Sequence, residues 1–170
     1  MATIRIPIMG AMTVPDSTGE CFMQPIGTGI TTIGTFPGGN LVMTFVDPSA
    51  DTGFYGSFLV PKNYLDTANI IVVGVLDGTV GATSLDFEYS YISKADNEAI
   101  DAAFTENATA NTGNTSGWTN EDMLELSISV TDGNFAIDDT VMYYLKRDQG
   151  TDDFVGDFHV TGLYFEYNDA

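Results

Sequence analysis

Apolar and polar side chains that change places at every second residue confine much of this chain to β-structure, because successive side chains of a strand point to opposite faces. In residues 84–92, Leu85, Phe87, Tyr89 and Tyr91 share one face while Asp86, Glu88 and Ser90 share the other. In residues 123–130, Leu124, Leu126, Ile128 and Val130 oppose Glu125, Ser127 and Ser129. In residues 159–167, Leu163, Phe165 and Tyr167 oppose Tyr164 and Glu166. One dry and one wet face is the habit of antiparallel sheets. Residues 41–46, 54–60, 69–76 and 140–146 read as further strands, and the nearly unbroken apolar run 70–75 predicts a central strand covered on both faces.

Turn chemistry separates these segments: Pro37-Gly38-Gly39-Asn40, Asp47-Pro48, Asp77-Gly78, Asp132-Gly133-Asn134 and Gln149-Gly150. Seven or eight punctuated strands predict an all-β fold, an antiparallel β-sandwich or jelly roll, since two sheets bury their apolar faces on each other. With 170 residues a single such domain needs no staples. It is expected over residues 41–170, with residues 1–40, rich in Gly and Thr, as an N-terminal extended arm and lead-in. Residues 94–104 hint at one short helix after Asp96, with Ile100, Ala103 and Phe104 at helical spacing. Residues 105–120, rich in Thr, Asn, Ala and Gly, read as a long surface loop around Trp118, the only tryptophan.

The residue inventory argues against an enzyme. Acid–base work near neutral pH recruits histidine, and nucleophilic work recruits Ser, Cys or Lys beside a base; here His159 and Cys21 are the only histidine and cysteine. No intramolecular disulfide can form, and Cys21 reads as a small buried hydrophobe. A net charge of −19, from 24 acidic and five basic residues, disfavours nucleic acid and anionic membranes as partners. Sixteen of the acidic residues lie from Asp96 onward, so one end or face is expected to be strongly negative. The first twelve residues contain Arg5 and Pro7 and lack the pattern of a signal peptide.

Each remaining constellation has a plain alternative. His159 lacks a second His or Cys at ligand spacing and reads as structural, so no zinc site is expected. Asp138-Asp139 and Asp152-Asp153 offer hard oxygen ligands of the kind Ca²⁺ takes, but without EF-hand spacing they read as solvated turn carboxylates, and no cofactor is expected. Asp86 and Glu88 share a face, as paired carboxylates of a glycosidase would, though such a face is usually simply wet. Trp118 either stacks on a sugar or anchors a protein contact, or folds back over the core. Asn107-Ala108-Thr109 and Asn114-Thr115-Ser116 match the glycosylation sequon and mark exposed polar chain. Ile4, Ile6 and Ile8 line one side of an extended segment in which Pro7 removes a ladder donor; it suits either addition to a neighbouring chain's sheet or a self-contained first strand.

Phe58-Leu59-Val60-Pro61-Lys62-Asn63-Tyr64, Leu85-Asp86-Phe87-Glu88-Tyr89, Gly133-Asn134-Phe135-Ala136-Ile137-Asp138-Asp139-Thr140-Val141 and the terminal Leu163-Tyr164-Phe165-Glu166-Tyr167-Asn168-Asp169-Ala170 resemble a family of uncharacterised virion structural proteins of tailed bacteriophages. The resemblance spans roughly Gly53 to the C-terminus and carries no catalytic signature. It implies a place on the virion, on the capsid exterior. Head decoration (cement) proteins are often small jelly rolls that trimerise on the shell, so the first expectation is a homotrimer that binds major capsid protein and clamps neighbouring subunits through Ile4, Ile6 and Ile8. The second is a glycan- or receptor-binding module of a phage fibre, with carbohydrate as ligand and Trp118 as a stacking residue.

Overall fold

A computed structural model describes residues 1–9, 14–15, 21–26, 40–46, 51–99, 103–113, 115–148 and 150–170. Eleven strands are seen in these: β1 (Thr3–Pro7), β2 (Val14–Pro15), β3 (Cys21–Ile26), β4 (Asn40–Phe45), β5 (Thr52–Leu59), β6 (Tyr64–Thr79), β7 (Asp86–Lys94), β8 (Glu106–Asn111), β9 (Met123–Ser129), β10 (Thr140–Arg147) and β11 (Val155–Asp169). Two antiparallel sheets form a β-sandwich. One has the order β3-β4-β11-β6-β9, with β1 also on β11, and the other the order β2-β5-β10-β7-β8. Apart from the β3–β4 and β7–β8 pairs, successive strands from β4 onward do not neighbour each other, so the chain repeatedly crosses between sheets and ties them together.

The alternation read from the sequence is the packing. Phe54 and Phe58 of β5, Phe87, Tyr89 and Tyr91 of β7, and Val141, Tyr143 and Leu145 of β10 face Ile70, Val72 and Leu76 of β6 and Phe158, Val160, Leu163, Phe165 and Tyr167 of β11 across one core. In β11 the inward set switches from even to odd numbers because the register against β6 shifts between Val160 and Gly162; a bulge inserts one residue and flips the parity. Burying each large side chain is worth about 1.5–3 kcal/mol, which makes this core the main source of stability.

Four expectations are corrected. Asp77-Gly78 is not a turn: β6 runs through it, and Gly78 lies opposite Gly156 of β11. Gly156 has φ +143, and a Cβ on either glycine would collide with the facing backbone, so this close approach requires glycine. Residues 105–120 are not one loop, because Glu106–Asn111 pairs with β7 along six positions and Thr115–Gly117 forms a 3-10 turn. Residues 94–99 form a strand end and a turn with Asn97 at φ 68, not a helix start. Finally, the described parts of residues 1–40 do not stand apart as an arm: β1 and β3 belong to one sheet and β2 to the other. Pro37-Gly38-Gly39, Asp47-Pro48, Ile100, Asn114, Gln149 and the Cys21 side chain lie outside what is described.

Candidate functional site

Ile4, Ile6 and Ile8 are spent within this chain. Their strand pairs with β11 from Thr3↔Asn168 to Pro7↔Tyr164, Ile8 is 3% exposed, and Ile4 and Ile6 pack against the same core. Arg5 fastens the strand from outside, with Nε 2.6 Å from Glu166 and both terminal nitrogens on Glu125. Trp118 is half-buried and packed against the core. Its turn is held by Thr115, whose buried hydroxyl accepts from the Gly81 amide and donates to the Gly81 carbonyl.

The other titratable candidates are structural. His159 is buried, with Nδ1 3.0 Å from Thr44 Oγ1 and Nε2 3.3 Å from Asp77 Oδ2. Asp152 is not a solvated turn carboxylate: it forms a two-pronged ion pair with Arg147 in which both side chains are fully buried. Arg147 also donates to the carbonyls of Val46, Phe154 and Gly156, so all five guanidinium donors are used. Asp153 accepts from the Ser84 amide and hydroxyl. Among the described residues no group of three or more His, Cys, Asp or Glu could hold a metal ion, and no helix is long and apolar enough to cross a membrane.

What remains is a surface the sequence did not single out, the outer face of the β2-β5-β10-β7-β8 sheet. Tyr55 of β5 and Tyr144 of β10 are cross-strand partners there, with ring centroids 4.6 Å apart and planes inclined by 27°. Phe104 also stacks on Tyr55, with ring centroids 6.2 Å apart and planes inclined by 18°. Tyr55 stays 40% exposed. Gly53 makes the arrangement possible, because a Cβ there would stand 2.6 Å from Cε2 of Tyr144. Tyr55 is thus stacked with both Tyr144 and Phe104.

Polar groups border the rings. In the adjoining row, Gly53, Lys146, Glu88 and Thr109 follow one another across β5, β10, β7 and β8. Lys146 Nζ lies 2.8 Å from Asp51, 3.0 Å from Glu88 and 3.9 Å from Asp148. Burial works against its ammonium, yet hydrogen bonds to Asp51 and Glu88 outweigh that cost and raise its pKa. Burial likewise raises the Asp86 carboxyl, against opposing hydrogen bonds from Asn111 and Ser84. Toward the opposite end of β10 the face dips into an open depression of about 310 Å³, floored by Met142 and Thr140 and rimmed by Lys94, Asp96, Glu98 and Asp138. Exposed aromatic edges beside hydrogen-bonding groups are what the C–H and O–H groups of a sugar can meet.

No family model and no curated protein matches the sequence. Solved structures do. An isomalto-dextranase from Arthrobacter globiformis T6, complexed with panose, superposes with a TM-score of 0.50 at 13% identity, covering 96% of this chain and 23% of the enzyme. A family 11 carbohydrate-binding module from Clostridium thermocellum, in complex with a mixed-linked tetrasaccharide, gives a TM-score of 0.47 at 9% identity over 96% of this chain and 94% of its own. A family 35 carbohydrate-binding module from the same organism gives 0.46 at 10%, over 97% and 98%. The chain therefore spans under a quarter of the enzyme it matches and nearly all of each module. At such identities the likeness is one of fold.

Proposed function

We propose that this protein is a non-catalytic carbohydrate-binding module whose ligand lies on the outer face of the second sheet, over Tyr55 and Tyr144. The tyrosine pair carries the reading. A solvent-facing aromatic stack contributes little to folding, but its exposed ring edges offer a sugar an apolar ridge at low entropy cost, with Glu88, Asn107 and Thr109 on the same face and Asp51 at Lys146 to meet hydroxyls. The matched carbohydrate-binding modules fit the reading without carrying it. Capsid decoration drew on a free apolar arm, and Ile4, Ile6 and Ile8 are occupied in this chain's own sheet. Placement on a phage particle, as a fibre module, rests on the strand-motif resemblance alone.

Affinity electrophoresis in gels cast with neutral, amino-sugar and uronate polysaccharides tests the proposal. Retardation of the native protein in at least one gel, lost in Tyr55→Ala with the melting temperature lowered by no more than about 4 °C, is the expected result. Equal mobility of native protein in every gel and in a polysaccharide-free gel overturns it.

A further inference from the structure

From the charge around the platform, we infer that the glycan is a cationic one, an amino-sugar polymer with free amines, and that uronate polymers are excluded. This inference rests on the glycan-binding reading of the same face and adds its ligand class. Acidic residues alone would not mark a site; these border an exposed aromatic stack on one side and line a depression on the other.

Among the described residues Lys146 is the cation beside the rings, and its ammonium already faces Asp51, Glu88 and Asp148. Three carboxylates against one ammonium leave the row net negative, so Lys146 cannot act as an anion receptor. Each carboxylate also accepts more hydrogen bonds than one lysine supplies. Asp51 keeps 39% of its side chain exposed and Asp148 26%, so both can still be reached from solvent. In the depression the same imbalance recurs, with Lys94 against Asp96, Glu98 and Asp138. A chain lying from the tyrosines to the depression meets net negative charge at both ends. Sugar ammonium groups would pair with the solvent-facing carboxylate oxygens, whereas sugar carboxylates would face desolvation beside like charges.

Isothermal titration with three β-1,4-linked oligomers of equal length, of glucosamine, glucose and uronic acid, tests the inference at mildly acidic pH. Glucosamine is expected to bind about fivefold more tightly than glucose, the scale of one exposed charge pair, with uronate not measurable. Raising salt to 500 mM, where screening acts within about 4 Å, should erase the glucosamine advantage and leave glucose binding as it was. Asp96→Asn/Glu98→Gln/Asp138→Asn should cut the same advantage while retaining glucose binding. These are safe substitutions, because a glutamine amide oxygen can still accept from the Ala95 amide as the Glu98 carboxylate does, and asparagine tolerates the φ of 67 at position 138. Equal affinity for glucosamine and glucose, or tighter uronate binding, overturns the inference and leaves the module reading intact. Binding of none of the three here, and of no polysaccharide in the gels above, overturns both.

Discussion

Tyr55 and Tyr144 meet directly across the β5–β10 ladder and stack at 4.6 Å, on the face of the sheet that points away from the core. Cross-strand aromatic pairs contribute roughly 0.2–1 kcal/mol to a sheet, so the pair is not what holds the fold together. Tyr55→Ala should therefore lower unfolding free energy by under about 1 kcal/mol in urea titrations, while removing ligand retention. A cooperative unfolding midpoint far below the native one would place Tyr55 in the supporting structure instead.

Gly53 gives a second handle on the same pair. A methyl group there meets the far end of the Tyr144 ring, which can swing aside at small cost. Gly53→Ala should leave stability within about 1 kcal/mol of native and still weaken glycan binding severalfold. Native affinity in this variant would show that the position of Tyr144 is immaterial.

Arg147 and Asp152 illustrate the opposite balance. Both are fully buried and satisfy each other, so Asp152→Asn leaves a guanidinium in the interior with no counter-charge. Losing one member of such a pair costs about 3–5 kcal/mol. Denaturant titration should show that drop, and a loss below about 1 kcal/mol would mean that water reaches Arg147.

Trp118 packs on the core from its turn, away from the tyrosine stack. Trp118→Ala should lower the melting temperature and leave glycan affinity unchanged. Affinity lost at full stability would move the ligand to the Trp118 turn.

The clasp of Arg5 on β1 depends on acid. Its hydrogen bond lowers the Glu125 carboxyl below the ordinary 4.5, in spite of slight desolvation. A lowered folded-state pKa stabilises above the unfolded value, and the gain is lost as pH falls through the folded one. Protonating Glu125 below pH 4.5, with Glu166 the other carboxylate on Arg5, should loosen β1 first. Hydrogen exchange of the Thr3–Ile6 amides, normalised for intrinsic rate, should speed up in acid and stay slow at neutral pH. Uniform protection of β1 and the core strands down to acid unfolding would contradict this.

Much of the architecture was legible because burial imposes a period of two. Leu85 to Tyr91 and Leu124 to Val130 announce their inward faces, and the apolar run in β6 announces a central strand. Strand β8 was hidden by composition, since its Glu, Asn and Ala residues are depleted in strands and Thr109 is its one strand-favouring residue; Ala108 and Ala110 follow the core side only because β7 pairs with them. Asp77-Gly78 carries turn residues for a different reason, the close approach to Gly156. The candidate site was hidden by register. Tyr55 breaks the parity of Phe54 and Phe58, and Tyr144 that of Tyr143 and Leu145, and each exception is a signal of an outward aromatic. That the two fall opposite each other depends on how β5 and β10 align, which neither strand encodes alone.

Chemical-shift mapping of the isotopically labelled protein, titrated with the oligosaccharide that binds best, tests the central claim most directly. The account predicts perturbations concentrated at Gly53, Tyr55, Glu88, Met142, Tyr144 and Lys146, with β1 and the Trp118 turn silent. Perturbations centred on the Trp118 turn or on β1, with Tyr55 and Tyr144 unmoved, would contradict it.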